Sequence, residues 1–184
     1  GIDVVTGGCP CQDFSISGKR QGFNAKKTHT GLMSEAGAPS IENRGQLYMW
    51  MREVISIVRP KIFIAENVKG LVNLGDVKEV IEDDFRNIGN EGYVVVPAKV
   101  LHAAEYGVPQ SRERVIFIGF KTDELTDEAI KELSKENISD LYDPYPKPTH
   151  FLPGKPEENK LPFVSVRKAF ADLKEPGESD DIAQ

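Results

Sequence analysis

Apolar positions along this chain come in short runs and in helical stripes that take turns. Ile2 to Val5 is a short apolar run and reads as a strand over residues 2–5, closed by a turn at Gly7-Gly8. Residues 45–59 place Leu47, Met51, Val54, Ile55 and Val58 on one face at helical spacing, and Pro60 marks the stop. Ile62-Phe63-Ile64-Ala65 is continuously apolar, as in a strand buried on both faces of a parallel sheet. Strand, helix, strand makes a right-handed crossover unit and sends both first strands in one direction.

The alternation continues. Residues 76–88 predict a second helix with Val77, Val80, Ile81, Phe85 and Ile88 as its stripe, ended by Gly89 and Gly92. Tyr93 to Leu101 reads as one strand, held to a sheet edge because Pro97 cannot donate to a ladder. Val115 to Phe120 reads as a more central strand. The link from about 103 to 114 is too short for a parallel crossover, so this pair should be antiparallel. Residues 126–137 suggest an exposed helix. Residues 142–162 carry Pro144, Pro146, Pro148, Pro153, Pro156 and Pro162 and read as an extended surface connector. Residues 163–173 could form a short amphipathic element through Val166, Phe170 and Leu173. The class is α/β, with no internal repeat.

Residues 6–44 fit none of this. They are rich in Gly, Ser, Lys and Thr and lack a period. So long an irregular stretch inside a compact domain suggests a working loop. It opens with Pro10-Cys11-Gln12, which places a thiol near a strand end. Glu66-Asn67-Val68 follows the second strand, and Gln110-Ser111-Arg112-Glu113-Arg114 precedes the last one. Open α/β sheets bind their ligands at the carboxyl edge, where Cys11 and Glu66 are expected.

Composition sets the bounds. With 184 residues, 39% hydrophobic and 28% charged, one domain with a real core is expected. The apolar runs are strand-sized, too short to span a membrane. The first residues lack the basic and apolar segments of a signal peptide, and both ends read as cuts through a longer protein. The two cysteines, Cys9 and Cys11, are too close for an ordinary disulfide and suit a reducing compartment. The three histidines show no ligand spacing, so no metal site is expected. A net charge of -6 argues mildly against nucleic acid. Lys19, Arg20, Lys26 and Lys27 nevertheless form a local basic stretch free of acids, and the acidic excess lies in 122–143 and 172–181.

Gly7-Gly8-Cys9-Pro10-Cys11-Gln12-Asp13-Phe14-Ser15, Glu66-Asn67-Val68-Lys69-Gly70 and Tyr106-Gly107-Val108-Pro109-Gln110-Ser111-Arg112-Glu113-Arg114-Val115, taken in order, resemble the DNA (cytosine-5)-methyltransferase family over about residues 1–120. Gly18-Lys19-Arg20 and Arg44-Gly45-Gln46-Leu47 match further pieces of it. The resemblance implies the C-terminal half of a Rossmann-like, S-adenosylmethionine-dependent methyltransferase sheet, with parallel strands, an antiparallel strand and helices on both faces. It divides the chain into a partial catalytic subdomain, 1–121, and an acidic, Pro-rich connector, 122–184, leading toward a target-reading region. By the same token Cys11 is the nucleophile toward C6 of a flipped cytosine in double-stranded DNA. Glu66 grips N3 and the exocyclic amine, Arg114 grips O2, and Arg112 braces the site.

Further roles follow from the resemblance alone. Gln12, Ser15, Lys19, Arg20 and Gln110 are expected near DNA, and Asn67 between the catalytic loops. Pro10 and Leu47 are left as fringe contacts to S-adenosylmethionine, because the Gly-rich loop and acids that hold it in the family are absent. The expected fragment is therefore inactive by itself, with an open sheet edge prone to self-association. Its parent would work in the bacterial cytoplasm at the nucleoid, in a restriction-modification system, or in a nucleus. Cys9 replaces a large apolar residue of the family pattern, and a disulfide with Cys11 under oxidation is a hypothesis. Three other readings compete: an interaction domain that kept the fold and lost the chemistry, a methyltransferase acting on cytosine in RNA, and a thiol redox protein using Cys9 and Cys11. The last needs two residues between its cysteines, where this chain has one.

Overall fold

A computed structural model describes residues 1–8, 48–73 and 76–173. The chain divides into two units, residues 1–101 with 113–146 and residues 102–112 with 147–184.

The first unit is built on a five-stranded sheet ordered β1 (Val4–Gly8), β2 (Ile62–Val68), β5 (Glu113–Lys121), β3 (Tyr93–Val95), with β4 (Lys99–His102) also pairing β5. Strands β1 and β2 run parallel, whereas β5 runs antiparallel to both β2 and β3. Helix α1 (Tyr48–Val58) makes the crossover from β1 to β2, and α2 (Val77–Arg86) follows a short 3-10 turn at Lys69–Asn73. Both helices pack on one face, where Met51, Ile55, Phe63, Ile81, Phe85, Val115 and Phe117 make the main core. The ring of Phe63, fully buried, lies 4.8 Å from Phe85 and 5.4 Å from Tyr93 between ring centres. It needs Gly119 opposite it, since a Cβ there would stand 2.1 Å from the ring. On the other face Ile62, Ile64, Ile116, Ile118 and Phe120 are covered by α3 (Asp127–Leu133), through Ile130 and Leu133, and by Ile138, Tyr142 and Tyr145. Helices on both faces and a mixed sheet were the expected pattern.

Several local expectations change. Gly7 and Gly8 lie inside β1 rather than in a turn, paired with Ala65 and Glu66. The strand is shifted to 4–8 because glycine at 7 admits the Met51 sulfur, 2.7 Å from where a Cβ would be. In α1, Val54 is 44% exposed and Tyr48 is buried in its stead. The helix ends with Arg59 in the left-handed region, φ 53°, just before Pro60, where right-handed helix is disfavoured. In α2 the stripe keeps Val77, Ile81 and Phe85, but Val80 is exposed and Glu82 is buried.

Glu82 explains why 93–101 is two strands. Its carboxylate accepts from the Ala98 amide at 2.9 Å, in the break that Pro97 makes between β3 and β4. Lys78 and Arg86 pair with it at 3.3 and 3.1 Å, so the buried charge is compensated. The expected exposed helix at 126–137 is shorter and half-covered, as Leu133 is buried against the sheet. Nor is 142–162 simply a surface connector. Tyr145 is buried and donates its hydroxyl to the Ile116 carbonyl at 2.8 Å.

In the second unit β6 (His150–Phe151) and β7 (Leu161–Pro162) form a small parallel pair, followed by α4 (Val166–Ala169). Val166, Phe170 and Leu173 recur at helical spacing there but are exposed. Among the described residues no helix is long and apolar enough to cross a membrane.

Candidate active site

Glu66 belongs to the row Ile62, Ile64, Glu66 on the face of β2 opposite the main core. In β5 the matching row is Phe120, Ile118, Ile116, Arg114. Toward the carboxyl end of β2 both rows turn from apolar to charged. Antiparallel register sets Glu66 across from Ile116 and Val68 across from Arg114, so the acid and the guanidinium are diagonal neighbours. They form an ion pair, Arg114 Nε to Glu66 Oε1, at 2.6 Å, and Arg114 Nη1 also donates to the Glu113 carbonyl at 2.8 Å. The Arg114 side chain is 24% exposed and that of Glu66 36%. A pair this open to solvent contributes about 0–1 kcal/mol to stability, so its value lies in presenting polar groups.

On the other side of Glu66 stands Gly8, its parallel partner in β1. A Cβ at Gly8 would come within 3.1 Å of Glu66 Oε2, so the glycine leaves the carboxylate its room. Glu66 lies inside β2, two residues before its end, rather than just beyond it. The next residue, Asn67, is buried, and its Oδ1 accepts from the Val68 amide at 2.8 Å.

Cys11, Pro10, Gln12, Ser15, Lys19, Arg20 and Leu47 lie outside the described residues, as does Cys9. Glu66 and Arg114 are brought together. Gln110 and Arg112 belong to the second unit. Arg112 lies ahead of β5, outside the strand that carries Arg114. The sequence reading passed over two features. Lys69 pairs with Glu113 at 2.6 Å, and Gly8 faces Glu66. Opposite charges at 69 and 113 become neighbours only once the β2–β5 register is known.

A hollow of about 10 Å³, open in part to solvent, lies at this end of the sheet between Tyr48, Glu66, Asn67, Phe85 and Phe117. Burial, helped by a hydrogen bond to Asp84, pushes the Tyr48 hydroxyl above its ordinary pKa of 10.0. Small-molecule sites usually enclose about 300–1,000 Å³ with a few convergent polar groups. The hollow falls short of that, so the described residues do not by themselves fit a nucleoside-sized methyl donor. Among them no cluster of His, Cys, Asp and Glu could hold a metal ion.

A mixed sheet with helices on both faces and polar groups gathered at one strand end defines a Rossmann-like methyltransferase fold. It resembles the crystal structure of a putative DNA modification methyltransferase encoded within an E. coli prophage, with a TM-score of 0.51 and 23% identity over 95% of this chain and 36% of that one. A model of the C-5 cytosine-specific DNA methylase family matches residues 1–176, and the chain belongs to that family. It is 31% identical to the type II methyltransferase M.NgoFVII of Neisseria gonorrhoeae over 98% of its own length and 38% of the relative's. It is 38% identical to M.Sau96I of Staphylococcus aureus over 66% of its length and 24% of the relative's. The chain thus spans between about a quarter and two fifths of these curated relatives. Enzymes of this methyltransferase family draw on S-adenosylmethionine as methyl donor.

Proposed function

We propose that the polypeptide to which this chain belongs methylates C5 of cytosine in double-stranded DNA, and that this chain carries the residues that activate the base. The reading is supported above all by one observation, the Glu66–Arg114 pair at 2.6 Å beside Gly8. Chain connectivity adds to it. Cys11 is three residues beyond Gly8 in the sequence, and Gly8 is the β1 partner of Glu66.

In this reading the cytosine is flipped out of the duplex, because its ring faces are closed inside the stack. The Cys11 thiolate adds to C6. Glu66 holds a proton at N3 and accepts from the exocyclic amine, so charge leaving C6 is neutralised at the ring nitrogen. Arg114 grips O2 with a planar fork, and Arg112 braces the loop before it. Addition at C6 makes C5 electron-rich enough to take the methyl group that a bound donor would supply, after which loss of the C5 proton to a base, expulsion of the thiolate and return of the N3 proton to Glu66 restore the aromatic ring.

Gln12, Ser15, Lys19, Arg20 and Gln110 contact DNA. Pro10 and Leu47 offer fringe contacts to S-adenosylmethionine, and the rest of the donor site is supplied by polypeptide outside this chain. Residues 1–184 alone are then inactive. The reaction belongs at the nucleoid in the bacterial cytoplasm, as part of a restriction-modification pair. β1 has no second partner among the described residues, and taken without the rest of the enzyme this edge is a place for non-native self-association.

Trapping tests the reading. The full-length polypeptide, with methyl donor, should form a denaturant-stable adduct with duplex DNA containing 5-fluorocytosine, and Cys11→Ser should abolish it. An adduct with RNA in place of DNA would move the substrate to RNA. No adduct with either would leave an interaction domain.

A further inference from the structure

Residues 103–112 of the second unit leave β4 and return to β5 outside any strand or regular α-helix. They carry Gln110 and Arg112, both exposed. The path is tight at each end. A 3-10 turn, Ala103–Tyr106, is closed by Gly107 in the left-handed region at φ 79°. The Gln110 amide donates to the Val108 carbonyl at 2.7 Å, and the Arg112 amide donates to the Gln110 carbonyl at 3.1 Å. Successive three-residue turns of this kind have no ladder to hold them, so their shape depends on the few bonds that close the loop.

Those bonds are at its base. The Ala103 amide donates to the Arg112 carbonyl at 2.9 Å. The residues just before these two in the chain also meet, His102 Nε2 and Ser111 Oγ being 3.1 Å apart. A hydroxyl both donates and accepts, so it satisfies either imidazole tautomer, and the imidazolium as well. The far side is braced separately. The Thr149 amide donates to the Glu105 carbonyl at 2.9 Å, and the His150 ring fills the space beside Gly107, where a Cβ would come within 2.7 Å of it.

We propose that His102 is a positioning residue, which through Ser111 closes the base of the 103–112 loop and fixes the directions in which Gln110 and Arg112 are presented. His102 touches no reacting atom. Its part in methylation rests on the function proposed above, while its part in shaping the loop does not.

The test uses the full-length polypeptide with His102→Ala, Ser111→Ala, the double variant and His102→Gln, whose amide reaches to the place of Nε2. Amide hydrogen exchange at residues 110–112 is read in the free protein, and methylation turnover on duplex DNA in the same preparations. Each alanine variant should exchange faster at 110–112 than the parent and turn over about fivefold more slowly, the worth of one neutral hydrogen bond. The double variant should equal either single one, and His102→Gln should recover both properties. Native exchange in His102→Ala, faster exchange with unchanged turnover, additive losses in the double variant, or failure of His102→Gln to recover each overturns the proposal. A parent that shows the exchange pattern without methylating DNA would refute the proposed function and leave the loop closure standing.

Discussion

Replacing Glu66 with Gln separates chemistry from architecture. Glutamine keeps the size of the side chain and an acceptor toward Arg114 Nε, but removes the charge. The carboxylate is 36% exposed, so the ion pair at 2.6 Å is screened, and losing it should cost about 0–1 kcal/mol of stability. The barrier should respond far more. A group that holds a proton on the reacting ring contributes about 10²–10⁴ in rate. At about 1.36 kcal/mol per decade this is roughly 2.7–5.4 kcal/mol, several times the stability change. Single-turnover methylation of a DNA duplex at saturating donor gives the first quantity, and urea unfolding of the same protein gives the second. A rate within about tenfold of the parent would refute the role given to Glu66. A stability loss above about 2 kcal/mol would show that the pair is structural and that the bookkeeping for an exposed ion pair is wrong.

Two further outcomes test the frame that holds the site. Gly119→Ala puts a methyl group 2.1 Å from the buried Phe63 ring and should cost about 1–3 kcal/mol or more in urea unfolding. Phe63→Leu should recover part of that loss in the double variant, and simple additivity would refute the contact. Tyr48 and Tyr145 are both held above their ordinary pKa of 10.0, mainly by burial. With the folded value raised, their stabilisation is complete below about pH 10 and declines as pH rises, because the unfolded chain ionises first. Ultraviolet titration should find both silent near pH 10 in the folded protein, and ionisation there would contradict their burial.

Much of the frame was written in local pattern. The continuous run Ile62-Phe63-Ile64-Ala65 is a central strand, and the crossover helix before it fits between two parallel strands. Val115 to Phe120 lies between two neighbours, as its apolar run required. Other features were out of reach because they depend on what lies opposite. Gly7 and Gly8 looked like a turn because glycine usually marks one, and Met51 and Glu66 across from them are the reason they sit in a strand. Val54 and Val80 looked buried by spacing, and their exposure reflects which side of each helix the sheet covers. Glu82 looked like one surface acid among several until the amide of Ala98 came to it.

Residue identity and order alone determined that this is an α/β chain, and they carried the family resemblance together with the expectation of a thiol, an acid and two guanidinium groups near strand ends. A periodic pattern reports local backbone geometry, and a motif reports chemistry. Neither reports register. Only the tertiary structure decided that the antiparallel return of β5 slides Arg114 to within 2.6 Å of Glu66, that Gly8 clears space for the carboxylate, and that His102 meets Ser111. The physical reason is that register is fixed by side chains far apart in sequence. Phe63 seats over Gly119, and a slip of one residue would turn each of these groups to the wrong face.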